Sequence, residues 1–375
     1  MSRQSHNAIK KKAWMIKGGY LDYQTVFITI ILVLIGLLMV FSASSYKGVL
    51  LTGDSAYFLK RQALFAVAGI IIMLFVSRIN YRKYKEFALI IMYACIFLCG
   101  VVMIIGTATN GAVRWINLGF MQFQPSEFAK IGIIIYMARL CEIQSRRLDS
   151  IKGIIQMVIL PGVCIVFIAL ENLSTAIVCF AIMFVIMFVA SPRFWNLVAL
   201  ALIALFAAVI ALVFVGYRGA RFDAWLNPET SEYGFQTMQS LYAIGTGGLF
   251  GRGLGESIQK MGFLPESHND MIFSIICEEL GLFGALGIIT LFVLLIFRMK
   301  YIAEHTVDSF GGFIVTGVIT HVAVQLIINI GVVTNTIPPT GVTLPFISYG
   351  GTSLVAMLIE IGLVLSVSRQ IKPTS

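Results

Sequence analysis

Long apolar runs alternate with short polar breaks from residue 26 to residue 367. A helix needs about 20 apolar residues to cross the ~30 Å hydrocarbon layer of a bilayer, within a range of about 17 to 25. Measured that way, the runs predict ten transmembrane helices at 26–43, 62–77, 87–105, 125–141, 154–170, 173–190, 195–215, 271–297, 311–333 and 353–367. Only Glu171-Asn172 separates the fifth run from the sixth. One helix through both would be about 55 Å long, too long for a single crossing, so a tight hairpin with the polar pair at its tip is expected. The predicted fold class is all-α: a polytopic integral membrane protein.

Composition agrees with the pattern. Of 375 residues, 58% are hydrophobic and 12% charged, where a soluble domain is about a quarter charged. Mean hydropathy is +0.91. Soluble enzymes, nucleic-acid-binding domains and secreted disulfide scaffolds are excluded. The +9 net charge reflects the Lys and Arg enrichment of cytoplasmic loops, so no nucleic acid partner is implied. With the N-terminus inside, inner segments hold eighteen Lys and Arg, counting Arg139 at the inner end of the fourth span, and outer segments eight, with Lys130 deeper inside that span. Both termini are therefore expected in the cytoplasm.

The expected organisation is a single domain, 1–375. It has a basic cytoplasmic segment at 1–24, a large extracytoplasmic loop at 216–270 between helices 7 and 8, and a cytoplasmic tail at 368–375. A loop of that length is usually functional or structured in itself. No cleavable signal peptide is expected, because the Lys10-Lys11-Lys12 run stands well ahead of the first span with no small-residue cleavage site after it. The six cysteines lie in or beside apolar runs, in no metal-ligand spacing with histidine, and read as core residues.

Four polar clusters fall on the outer face by the charge rule. The first is Asn110 to Asn117, with Arg114 and Trp115, followed by Gln124-Pro125-Ser126-Glu127-Phe128-Ala129-Lys130. Pro125-Ser126-Glu127 has the chemistry of a helix start. Glu127 and Lys130, three apart, face the same way: either an intrahelical ion pair that tolerates reversal or a functional intramembrane charge. The second cluster holds Arg218, Arg221 and Asp223, then six glycines between Gly245 and Gly255. Those glycines suit a phosphate cradle, but no Gly-Lys-Ser/Thr follows, so tight turns or a re-entrant element are expected. The third runs from Gly262 through Glu266 and His268 to Asp270, at the mouth of the eighth run. Asp270 is either a helix N-cap or a carboxylate kept ionised by the helix dipole and able to accept a proton. The fourth is Pro338 to Gly341 and Leu344 to Ser353, with Ser348 and Tyr349. Within the ninth run, His321, Gln325 and Asn329 form a stripe read as interhelical hydrogen bonding. The clusters together describe cations for an anionic group and a carboxylate for proton transfer, as an amphiphilic lipid phosphate would need.

At these positions the sequence resembles the SEDS family, the FtsW, RodA and SpoVE proteins. The resemblance rests on Phe41-Ser-Ala-Ser-Ser45, Arg114-Trp115, Gln124 to Lys130, Gln239 to Gly245, Gly251 to Gly255, Leu264 to Asp270, Glu278-Glu-Leu-Gly281 and Pro345 to Gly351. It implies a ten-helix peptidoglycan glycosyltransferase of the cytoplasmic membrane. Such an enzyme polymerises lipid II at the outer face beside a class B penicillin-binding transpeptidase and other divisome or septal membrane proteins. It also implies Asp270 as the catalytic acid residue. One departure is the tip Glu171-Asn172-Leu173-Ser174-Thr175, where many members carry Pro-Asp-x-Gly-Thr, so that aspartate's role does not carry over. Ser257-Ile-Gln-Lys260 and the Ser-rich end of the first helix look closer to the division and sporulation branch than to elongation.

The expected reaction is an inverting glycosyl transfer with Asp270 as base. Candidate substrate contacts are Arg114, Glu127, Lys130, Arg218, Arg221, Glu266, His268, Ser348 and Tyr349. No paired-carboxylate set is evident, so no metal is assigned, although a divalent cation could assist the leaving pyrophosphate. The alternatives are an elongation-type polymerase, a flippase for the same precursor, and a scaffold without chemistry.

Overall fold

A computed structural model describes residues 19, 21–109, 112–117, 119, 122–191, 195–198, 201–202, 222–231 and 234–371. Each long apolar run among them is a helix, because in hydrocarbon every backbone polar group must be satisfied within its own segment. The principal described helices are α1 (Tyr23–Thr52), α2 (Tyr57–Val76), α3 (Arg82–Ile105), α4 (Pro125–Gln144), α5 (Ile151–Glu171), α6 (Leu173–Ala190), α7 (Phe235–Gly247), which lies within the 216–270 segment and is none of the predicted runs, α8 (Ile272–Glu304), α9 (Ser309–Val333) and α10 (Gly351–Ser368). Eight of the described helices are long and apolar enough to cross a membrane. Of the two other expected spans, α4 carries too many charges to read as apolar, and 195–215 lies mostly outside the described residues. Arg218 and Arg221 also lie outside them.

Local chemistry sets the helix ends. The Asp22 carboxylate accepts the Thr25 N–H at 3.0 Å and opens α1, a typical N-cap. Gly53, at φ 75°, closes it. The expected hairpin is present: Asn172 ends α5, and its Oδ1 accepts the Thr175 N–H at 3.2 Å to start α6. α1 and α8 outrun their apolar stretches, at 30 and 33 residues.

The core lies between helices rather than inside a sheet. α4 packs against α3, α6 and α9; α2 runs along α10; α9 also meets α6 and α8. Thirteen of the twenty α4 residues and fourteen of the eighteen α10 residues are buried. A Cβ on Gly362 would sit 2.8 Å from the Met73 carbonyl oxygen, so glycine sets the approach of α10 to α2. Outward-facing Phe27, Ile71, Ile90, Phe97 and Ile104 are exposed, as suits side chains solvated by lipid.

The all-α expectation needs one addition. β1 (Thr107–Thr109), β2 (Ala112–Asn117) and β3 (Gln122–Phe123) form a small antiparallel sheet in the order β1-β2-β3 between α3 and α4. It carries Arg114 and leads into α4.

Candidate functional site

α4 begins at Pro125, with Glu127 in its first turn, as the Pro-Ser-Glu sequence predicts. The Glu127–Lys130 pair does not reach a surface. Lys130 is 0% exposed and Glu127 5%, and the Lys130 ammonium donates to Glu127 Oε1 at 2.9 Å. On the neighbouring helices His321 Nδ1 lies 2.7 Å from Glu360 Oε2, both fully buried. Polar groups so deep in a bundle face the interior and pair with one another. The α9 stripe therefore does make interhelical contact, through His321 to α10.

Arg114 comes from the small sheet. Its Nε donates to the Glu171 main-chain oxygen at 3.0 Å, tying β2 to the α5–α6 tip. Its Nη1 lies 3.8 Å from where a Cβ on Gly341 would stand, so the guanidinium bridges the first and fourth polar clusters. Beside it is a small cleft lined by Cys99, Arg114, Ser126, Phe167, Glu171 and Asn172 among others. Thr352 Oγ1 donates to the Gln122 oxygen at 2.7 Å, a second tie between those clusters.

Asp270 is half-buried, and it is not an N-cap. Met271 occupies the cap of α8, without a side-chain cap hydrogen bond. Instead, three successive main-chain carbonyls hold the segment. That of His268 accepts the Tyr349 N–H at 2.9 Å. That of Asn269 accepts the Ser348 hydroxyl at 2.6 Å, while Ser348 Oγ itself accepts the Leu344 N–H at 2.8 Å. That of Asp270 accepts Asn329 Nδ2 at 2.7 Å, and the same nitrogen reaches the Val342 oxygen at 2.9 Å. Ser348 and Tyr349 thus hold the backbone of the two residues that precede Asp270. The role of Asn329 was not separable in the sequence from that of its helix neighbours.

His268 is 2% exposed. Its ring lies 4.8 Å from Phe58 and 5.6 Å from Tyr349, centroid to centroid. Burial, with Lys47 nearby, pushes its pKa down to about 3, so it is neutral at physiological pH. Glu266 adopts φ 52°, accepts from Asn269 Nδ2 and pairs with Lys47 at 4.0 Å.

The segment just after the glycine-rich stretch holds a carboxylate of the chain itself. The Ser257 hydroxyl and the Ile258 N–H donate to the Glu278 carboxylate at 2.5 and 3.0 Å. Among the described residues, no three His, Cys, Asp or Glu side chains are placed to hold a metal ion, so no residue is assigned as a metal ligand. Among the described residues, these contacts bring the first, third and fourth clusters together, and Arg218 and Arg221 of the second lie outside the described residues.

The architecture is that of a polytopic membrane protein. The chain matches the cell cycle protein family FtsW/RodA/SpoVE over residues 23–373. It is 41% identical over 359 residues to stage V sporulation protein E of Bacillus subtilis, covering 93% of this chain and 97% of that protein. It is 38% identical over 360 residues to a probable peptidoglycan glycosyltransferase FtsW of Geobacter sulfurreducens, covering 94% and 96%. Among solved structures it matches a chain described under "Structural coordination of polymerization and crosslinking by a peptidoglycan synthase complex", with a TM-score of 0.77, 26% identity and coverage of 93% and 98%. The rod shape determining protein RodA of Thermus thermophilus matches with a TM-score of 0.69, 27% identity and coverage of 93% and 97%. The protein belongs to the FtsW/RodA/SpoVE family and is a multi-pass bacterial membrane protein.

Proposed function

We propose that the protein is a peptidoglycan glycosyltransferase that polymerises lipid II at the outer face of the cytoplasmic membrane, for division or sporulation septum synthesis. The observation that carries the reading is the end-to-end match to proteins named peptidoglycan glycosyltransferase, at 38% identity. Asp270 takes the proton of the acceptor's GlcNAc 4-hydroxyl as that oxygen attacks the MurNAc anomeric carbon of the donor. The bond from that carbon to the pyrophosphate oxygen breaks with inversion, and undecaprenyl pyrophosphate leaves. Negative charge grows on the leaving group and is best met by cations fixed beforehand. Arg114 serves there, together with Arg218 and Arg221 of the 216–270 loop. Glu127 and Lys130 act from below by holding the start of α4. Glu266, His268, Ser348 and Tyr349 shape the wall around Asp270. A class B penicillin-binding protein is the partner that would cross-link the product, since a structural neighbour comes from a peptidoglycan synthase complex.

The test is polymerisation of purified lipid II by the full chain with that partner. Asp270→Ala is expected to abolish product while leaving expression and folding intact. Normal polymerisation by Asp270→Ala would remove the base assignment. Translocation of labelled lipid II across liposomes without glycan product would replace the enzyme by a transporter.

A further inference from the structure

Three motifs singled out in the sequence take no part in the reaction just described: the Ser-rich end of the first span, the glycine-rich stretch and Glu278-Glu279-Leu280-Gly281. They meet in one place. α8 is broken at Gly281, which adopts φ 66°, ψ −168°. A Cβ there would collide with the Gly251 nitrogen and the Leu249 oxygen. The break frees backbone groups inside an apolar run, and the preceding loop satisfies them. Arg252 N and Gly253 N donate to the Glu278 and Glu279 carbonyls at 2.9 and 3.1 Å, while Leu282 N and Phe283 N donate to the Gly248 and Leu249 carbonyls at 3.0 and 3.2 Å.

The side chains close the same contact. Lys260 is 5% exposed, Ser42 6% and Glu279 1%. The Lys260 ammonium donates to Glu279 Oε1 at 2.7 Å, to Ser42 Oγ at 2.9 Å and to the Gly255 oxygen at 2.5 Å. The Ser42 hydroxyl lies within 2.6 and 2.7 Å of the two Glu279 oxygens. A buried ammonium with three acceptors around it has one well-defined position, and removing it leaves Glu279 uncompensated.

From Lys260 the chain runs along α1. Gly262 lies against Tyr46, with a Cβ there 3.4 Å from the Tyr46 ring. The Ser267 hydroxyl donates to the Ala43 oxygen at 3.2 Å, and Glu266 meets Lys47. It then passes Asp270 and re-enters α8, which leads back to Glu278 and Glu279. Residues 257–279 are therefore a closed ring of chain, fastened where Lys260 meets Glu279 and where Ser257 meets Glu278.

We propose that Lys260, locked between Ser42 and Glu279, is a positioning residue for Asp270, closing the ring of chain on which that carboxylate sits. The inference rests on the reading of Asp270 as the base. Catalysis depends on placement to within an ångström, and a displacement of that size from a remote substitution can cost about a hundredfold in rate. Lys260→Met removes one of the two fastenings of the ring, leaving that of Ser257 on Glu278, without touching Asp270 or the groups that hold its carbonyl.

The test measures kcat and KM for purified lipid II on full-length variants, beside thermal unfolding and amide hydrogen exchange. Lys260→Met is expected to lower kcat by roughly tenfold or more with KM within about threefold, the pattern of a lost transition-state interaction. Amides 262–271 should exchange faster while those of α4, α9 and α10 keep wild-type protection. Lys260→Arg, which retains the cation, should recover most of the loss. Ser42→Ala, a small change that spares the fold, should move kcat and exchange the same way and decides the matter where Lys260→Met does not fold. Full kcat in Ser42→Ala and Lys260→Met, or a loss that only tracks the unfolded fraction, would overturn the positioning role while leaving Asp270 as base. Asp270→Asn with wild-type kcat would instead overturn the base assignment, and the positioning role with it.

Discussion

The Asn329 amide nitrogen donates to the main-chain oxygen of Asp270 across 59 residues of sequence, at 2.7 Å. The residue proposed to move the proton is thus oriented by a helix that contributes nothing to its own loop. Asn329 is 1% exposed, and its second acceptor, the Val342 oxygen, ties the Pro/Gly-rich segment to the same point.

Asn329→Leu, of similar size, removes both donors and strands two carbonyls. At about 1–3 kcal/mol for each buried acceptor left unmade, the expected loss of stability is about 2–6 kcal/mol. The rate per folded molecule should fall as well. Asn329→Asp should be worse, since it sets a carboxylate against two carbonyl oxygens. Thermal unfolding in detergent and lipid II polymerisation check both.

The buried Glu127–Lys130 pair alters an expectation from the sequence. A surface i, i+3 pair reverses at little cost, but this one is enclosed, so reversal is not benign even where its role is structural. Lys130→Met alone leaves an unpaired carboxylate in the bundle and should cost about 3–5 kcal/mol. The double variant Glu127→Gln, Lys130→Met should recover most of that stability. If it also polymerises lipid II, the pair supports α4 and nothing else.

Arg114→Lys keeps the charge and loses the fork that reaches Glu171 and the Gly341 segment together. Polymerisation should drop by roughly tenfold or more with the fold intact, as for a lost bidentate contact. Glu171→Ala keeps the Arg114 contact, because the acceptor is a main-chain oxygen, and should be far milder. Rates on purified variants separate the two.

His268 carries a pH prediction. Its folded pKa, about 3, lies below the ordinary 6.5, so between those values the unfolded chain binds the extra proton. Stability from this group is present above about pH 6.5 and is lost as pH falls below it. His268→Gln should lower the melting temperature at pH 7 through lost ring contacts, and flatten its decline between pH 7 and pH 5. Melting curves across that interval test the sign.

At the opposite end of the bundle, Asp308 accepts Arg82 Nε at 2.6 Å, Tyr81 OH at 2.9 Å and the Gly311 N–H at 2.9 Å. Burial pushes its carboxyl up, and the Gly311 N–H, Arg82 and Tyr81 outweigh that to hold it below the usual range. Asp308→Ala should cost about 2–4 kcal/mol, combining a lost N-cap with a half-buried ion pair. Activity per folded molecule should be unchanged, which makes it a control for the variants above.

The helices were legible because lipid leaves one way to satisfy a backbone, so apolar run lengths report spans directly. α4 was legible despite its charges because Pro125-Ser126-Glu127 marks its start. The sheet at 107–123 was not: its strands are short and the sequence around them is interrupted by glycine, asparagine and arginine, which reads as loop. The break at Gly281 was silent, since one glycine in an apolar run looks like any other. Lys260 and Glu279 stand 19 residues apart, at no helical spacing, so only the fold brings them together. Asn329 was visible as a polar residue in a span, but its acceptor is a carbonyl, and main-chain acceptors leave no mark on a sequence.

The interlock of residues 248–253 with α8 also bears on how the protein can be altered. Connecting segments usually absorb insertions with little penalty. Here the four cross-links from Arg252, Gly253, Leu282 and Phe283 each need one partner, so the segment is a loop by shape and a ladder by register. One residue added between Gly248 and Gly253 would offset the loop against the α8 break and mismatch its bonds together. Tags, labels and fusion points therefore belong elsewhere on this end of the molecule, and a probe meant to report on the site should replace a side chain rather than lengthen the chain.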